Sequence, residues 1–274
     1  MPLRRSPIWS DPLVKPPFGS VEVDWAHPLT RGMVGCWLFN EAAGPPYDLV
    51  NRNRAVLLNA PPWGSGPRGV ALSLLTASAQ SVQAGNISPY QITGAQITVI
   101  CSLTETAVAS QIFVAKDKDT GGRPFTMDRS GNNVRFYVDG GAVAIASGSH
   151  AAAVSGILAG TYDSSDTLTG TRIYKNGGLL ASGDVTGSIP SGTANLTFGA
   201  REYSGAEGPM SGQIYFVLLA NVAWTPAMLL QHYLEPYAVL RPIVPRRYFV
   251  PSGAGAVAVP PMIALAPPTP AGVF

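Results

Sequence analysis

The stretch Val134-Arg-Phe-Tyr-Val-Asp-Gly-Gly-Ala-Val-Ala-Ile145 decides the fold class. Val134, Phe136 and Val138 alternate with polar or amphipathic residues, the period-two pattern of a strand with one apolar face. Asp139-Gly140-Gly141 then turns the chain into Ala142-Val-Ala-Ile145. A second hairpin follows at Thr171-Arg-Ile-Tyr-Lys175, Asn176-Gly177 and Leu179-Leu180. Asp-Gly and Asn-Gly supply the positive φ that a two-residue hairpin turn requires. Working outward, further strands are predicted at 33–39, 96–103, 111–115, 194–199 and 212–220. Short strands at this spacing imply an all-β sandwich. One short helix is predicted near the C-terminal end of this region. Thr225 is its N-cap, Pro226 its first residue, and Met228, Leu229, His232 and Tyr233 its apolar face, with Pro236 ending it.

Composition agrees. Charged residues are 12% of 274, about half the usual roughly 25%, and Gly (30) and Pro (25) are abundant. A coiled coil or helical bundle is excluded, and 46% hydrophobic residues with a net charge of +2 argue against solvated disorder. No apolar run approaches the roughly 18 residues of a membrane span, and no h-region follows the opening residues, so no secretory signal is expected. Eighteen basic against 16 acidic residues leave no basic field for nucleic acid. Cys36 and Cys101 sit in apolar runs and read as buried thiols, with a disulfide as the alternative. No zinc, P-loop or nucleophile-elbow spacing is present.

Three parts are expected: an extended Pro-rich N-terminal arm over 1–24, a β body over 25–238, and an extended Pro/Ala-rich C-terminal arm over 239–274. Proline fixes φ and removes a donor, so both arms should lack regular structure. The C-terminal arm has no acidic residue and is too apolar for a solvated linker. It should therefore be buried against the body or a neighbouring subunit, with Arg246, Arg247, Tyr248, Phe249 and Val250 as assembly contacts.

Several segments share a likeness. His27 to Glu41 contains Trp37-Leu-Phe39-Asn-Glu41, followed by Gly44, and Tyr47-Asp48-Leu-Val-Asn51-Arg-Asn53 succeeds it. Ala159-Gly-Thr-Tyr-Asp163 precedes Arg172-Ile-Tyr-Lys-Asn-Gly177, and Leu196-Thr-Phe-Gly199 precedes Gly212-Gln-Ile-Tyr215. Over roughly 27–237 the chain resembles laminin-G-like, concanavalin A-like jelly-roll domains. The resemblance implies a two-sheet jelly-roll sandwich with one short C-terminal helix, a fold that hosts lectins, adhesion modules, enzymes and structural proteins. Glu235-Pro-Tyr-Ala-Val-Leu-Arg-Pro242 and Pro245-Arg-Arg-Tyr-Phe-Val-Pro251 resemble endings of tailed-bacteriophage proteins carrying this domain, which implies a virion setting.

Candidate sites are few. Glu22-Val-Asp24-Trp-Ala26 shows two members of an E-x-D-x-E glycosidase pattern, with Ala26 in place of the third acid, and reads as a chance match. No enzyme activity is expected. Glu41 is expected to accept backbone N–H bonds from the loop at 42–48. Asp117, Asp119 and Asp128 form the most carboxylate-rich stretch and are candidate calcium ligands, against a solvated hairpin loop neutralised by Lys116 and Lys118. Asp163 and Asp166 read as turn caps. Trp63, Tyr90 and Tyr203 lie in polar or Gly-rich loops and are candidate glycan-stacking platforms. Two functions follow. One is a virion structural protein, a capsid decoration or tail/fibre component associating with major capsid or tail proteins and with itself, as a trimer. The alternative is a lectin-like module recognising host-surface glycans.

Overall fold

The computed structural model describes residues 14–117, 123–139, 143–185, 187–203 and 205–243. Asp119 and the expected assembly contacts Arg246, Arg247, Tyr248, Phe249 and Val250 lie outside the described residues. Two antiparallel sheets stack face to face, the jelly-roll sandwich that the resemblance implies. The eight-stranded sheet runs Gly178–Gly183, Thr171–Lys175, Ser155–Asp163, Gln96–Glu105, Gly212–Ala220, Gly69–Leu74, Trp63–Gly66, with Met33–Trp37 also paired to Gly212–Ala220. The seven-stranded sheet runs Val143–Ser149, Asn133–Asp139, Phe125–Ser130, Gln111–Lys116, Leu196–Phe198, Ser81–Gly85, Val56–Leu58. At the second hairpin Asn176 (φ 52°) and Gly177 (φ 78°) both take the left-handed conformation, as a type I′ turn requires.

The core between the sheets is built by the alternation seen in the sequence. Val134, Phe136 and Val138 are buried in it with Phe113, Phe125, Met127, Trp37 and Phe198. Trp37 packs edge-on to Phe198, ring centroids 4.9 Å apart, and against Tyr90 at 5.4 Å. Cys101 belongs to this core and Cys36 to a second one, and both are buried free thiols.

The second core lies on the other side of the eight-stranded sheet. Ile100, Phe216 and Leu218 on that side are roofed by Val21, Val23, Trp224, Leu229, Tyr237 and Leu240. The helix, Pro226–Leu234, contributes to this roof, and Thr225 caps it by accepting the Met228 N–H at 3.3 Å. The expected arm boundaries fall inside this unit. Val21–Val23 pairs antiparallel with Leu240–Pro242, so residues up to 24 and from 239 include a two-stranded sheet. Val21 and Val23 are driven there by burial of their side chains against the roofed face, which the proline count did not reveal.

Lys15, in the expected arm, is also buried. Its ammonium donates to the carbonyls of Leu38 (2.8 Å), Phe39 (3.0 Å) and Val70. Three acceptors match its three N–H donors, and burial lowers its pKa to about 7 against the opposing charge of Glu41.

Candidate functional site

Strand register builds one polar area on the seven-stranded sheet, on the side away from the main core. Because Phe136 and Val138 point inward, Arg135 and Tyr137 point outward. Arg135 lies directly opposite Asp128 on one neighbouring strand and Ser147 on the other. Tyr137 lies opposite Thr126 and Ile145. Cross-strand neighbours of this kind touch. Arg135 grips Asp128 with both arms of its fork, Nε to Oδ1 at 2.8 Å and Nη2 to Oδ2 at 2.6 Å. Asp128 is nevertheless pushed above its ordinary carboxyl pKa, because burial outweighs the pull of Arg135, while the same hydrogen bond raises Arg135.

These side chains line a cavity of about 350 Å³ together with Ser110, Gln111, Ile112, Arg123, Arg129, Ser130, Arg201 and Gly208. That is near the lower end of ligand pockets, roughly 300–1,000 Å³. Beside it Asp117 is almost wholly buried. Its Oδ2 accepts from Tyr137 Oη (3.3 Å), Thr126 Oγ1 (3.4 Å) and Arg201 Nη1 (3.4 Å). Its Oδ1 has Arg123 Nε at ion-pair distance, 3.4 Å, but no aligned hydrogen bond. Burial pushes the Tyr137 hydroxyl up to about 12, so it stays a neutral donor. Arg129 is fully buried and spent: it pairs with Glu105 (2.8 and 2.7 Å) and donates to the carbonyls of His150 and Ala152.

Of the candidate calcium ligands, Asp117 and Asp128 do meet on this sheet face, each held by guanidinium groups. Among the described residues no three His, Cys, Asp or Glu side chains gather as a metal ion requires. Tyr90 is a correction. It is fully buried, stacks on Trp37 and donates to Asp48 Oδ2 at 2.7 Å, so it offers no surface to a glycan. Its Ser-Pro-Tyr setting is a turn, but the ring points into the core. Trp63 is half-buried, with Nε1 donating to Gly44 O at 3.0 Å. The side chain of Tyr203 lies outside the described residues, although its backbone forms a short strand, Arg201–Tyr203.

Glu41 plays the expected part, accepting the Tyr47 N–H at 2.8 Å. Asp163 and Asp166 cap their turns, accepting from Ser165 and Thr169. Glu22 is paired with Arg241 at 2.9 Å and Asp24 caps a turn at Ala26. Asp48 had no assigned role. It is buried and accepts from the backbone N–H groups of Cys36, Val50 and Asn51 as well as from Tyr90. Its position after an aromatic in Tyr47-Asp48-Leu-Val-Asn51 was the one sequence signal available.

The profile of the concanavalin A-like lectin/glucanases superfamily (Laminin_G_3) matches residues 77–229, more than half the chain, and the chain belongs to that family. No curated protein matches the sequence. Among solved structures, the binding domain of Paraclostridial Mosquitocidal Protein 1 is similar at TM-score 0.59 and 10% identity, over 75% of this chain and 52% of that one. The binding domain of Botulinum Neurotoxin DC in complex with SialylT is similar at TM-score 0.56 and 11% identity, over 75% and 52%. Trypanosoma rangeli sialidase is similar at 0.53 and 11%, over 76% and 33%. The chain thus spans about half or less of these structures, and such identities establish the shared fold. Among the described residues no helix is long and apolar enough to cross a membrane.

Proposed function

We propose that this chain is a carbohydrate-binding, lectin-like module, acting by association rather than catalysis, and that the cavity over Arg135 and Tyr137 is its ligand site. The observation that carries this reading is the cavity itself: a concave patch of suitable size, with polar groups fixed by strand register and by ion pairs. The kinship in fold supports it, since one similar structure is a toxin binding domain in complex with SialylT. Glycan-array binding by the full chain tests it. At least one glycan should bind, and Ser110→Trp, which plugs the mouth from an exposed position, should weaken that binding about 10-fold or more. No bound glycan, or a variant that binds unchanged, overturns the reading.

The setting we propose is a bacteriophage virion, with the flanks joining the module to capsid or tail proteins in a trimer. The likeness of residues 235–251 to phage endings favours it. Deleting residues 244–274 should leave the sandwich folded and abolish incorporation into particles, and normal loading of the truncated chain would refute it.

A further inference from the structure

The cavity contains guanidinium groups with donors to spare, one of them, Arg135, fixed by a two-pronged bond to Asp128. Arg135 spends Nε and Nη2 on Asp128 and lies over the Tyr137 ring at 5.9 Å; among the described residues Nη1 has no hydrogen-bond acceptor, and the side chain is 31% exposed. Arg123 has its Nε 3.4 Å from Asp117 Oδ1, its one ion pair among the described residues, and its side chain is 43% exposed. Acceptors are scarce by contrast. Asp128 is the one carboxylate among the described residues that line the cavity, and each of its oxygens already accepts from Arg135. Arginines outnumber carboxylates among the described lining residues, and an anion pairs with a guanidinium edge more strongly than a neutral hydroxyl does. Fixed guanidinium edges match planar or tetrahedral anions in charge and in hydrogen-bond geometry. Ile145, 41% exposed and directly opposite Tyr137, adds an apolar ledge beside the donors.

We infer that the cavity takes an acidic glycan, a sugar whose carboxylate or sulfate seats on Arg123 and Arg135 while its ring rests on Ile145. This deepens the glycan-binding reading and rests on it. The test is calorimetric titration of the full chain with lactose, 3′-sialyllactose, a galacturonic acid trisaccharide and 6′-sulfolactose. At least one acidic probe should bind 10-fold or more tightly than lactose, the difference expected of a charge-assisted pair. Which acidic probe wins separates carboxylate from sulfate. Arg123→Gln, at an exposed side chain, should reduce that affinity about 10-fold with the melting temperature unchanged. Arg135→Lys keeps a cation beside Asp128 but removes the fork, and should also weaken binding while the protein stays folded. Equal affinity for lactose and the acidic probes, or wild-type affinity in both variants, overturns the acidic ligand and leaves a neutral-glycan module standing. Failure to bind any glycan, here or on a broad array, overturns both.

Discussion

The two sheets present opposite outer faces. That of the eight-stranded sheet is covered: Ile100, Phe216 and Leu218 lie under Val21, Val23, Trp224, Leu229 and Tyr237. That of the seven-stranded sheet carries Asp128, Arg135 and Tyr137 around a cavity. One face is finished by burial of apolar area, the other by ion pairs whose partners are fixed by register. The difference teaches where change is tolerated. On the covered face each side chain contributes packing free energy. On the open face the carboxylates of Asp117 and Asp128 are buried while Arg123 and Arg135 keep partial solvent access, so the guanidinium edges are available to a ligand.

The largest effect should come from the covered face. Phe216 is buried and packs edge-on to Tyr237, 6.3 Å between centroids, and against His232 at 5.3 Å. Phe216→Ala should cost about 3–5 kcal/mol, measured by urea unfolding. A loss below about 1 kcal/mol would mean that the roof is not packed as a core.

Next comes the acid limb of stability. His232 is wholly buried under the same roof, beside Trp224, with neither ring nitrogen hydrogen-bonded. Burial, assisted by the charge of His27, lowers its pKa from 6.5 to about 3. The unfolded chain therefore binds the extra proton below pH 6.5 and the folded chain does not. Stability from this group is complete above pH 6.5 and is lost as pH falls toward 3, about 2 kcal/mol by pH 5. His232→Phe should remove that share of the pH slope while leaving stability near pH 8 equal or higher. The same slope in both proteins would show that His232 is solvated.

The smallest effect should come from the open face. Tyr137→Phe removes one donor to Asp117, which keeps Thr126, Arg201 and Arg123 nearby. Stability should fall by no more than about 1 kcal/mol, whereas glycan affinity should fall measurably. A larger loss of stability than of binding would reverse the proposed division of labour between the faces.

What was legible in the sequence was local. The alternation at 134–138, the Asn176-Gly177 turn and the Thr225-Pro226 helix start are set by neighbours in the chain, and the fold carries all three. The Trp37-to-Glu41 segment went further, because Glu41 does bind its loop. The candidate site was legible only in fragments. Asp117 and Asp128 were noticed as carboxylates, but their arginine partners depend on register across three strands. Glu105 and Arg129 are 24 residues apart in the sequence, and no pattern announces their pairing. The burial of Tyr90 is not legible in Ser88-Pro-Tyr90, because a turn sequence says where the backbone bends, not which way a ring points. The strand Val21–Val23 was hidden among prolines, since its partner, Leu240–Pro242, comes more than two hundred residues later.

The ammonium of Lys15 in its three carbonyls has a mechanical meaning. Among the described residues, a pull from the N-terminal side is first resisted at Lys15, where the carbonyls of Leu38, Phe39 and Val70 hold one nitrogen at once. Among the described residues, a pull from the C-terminal side meets first Ile243, whose N–H donates to Ser20 O at 2.9 Å, and then the three paired residues Leu240–Pro242, which can open one after another. The first is a rivet and the second a zip, so the described unit is fastened unequally at Lys15 and at Leu240–Pro242 and should yield at the second before the first.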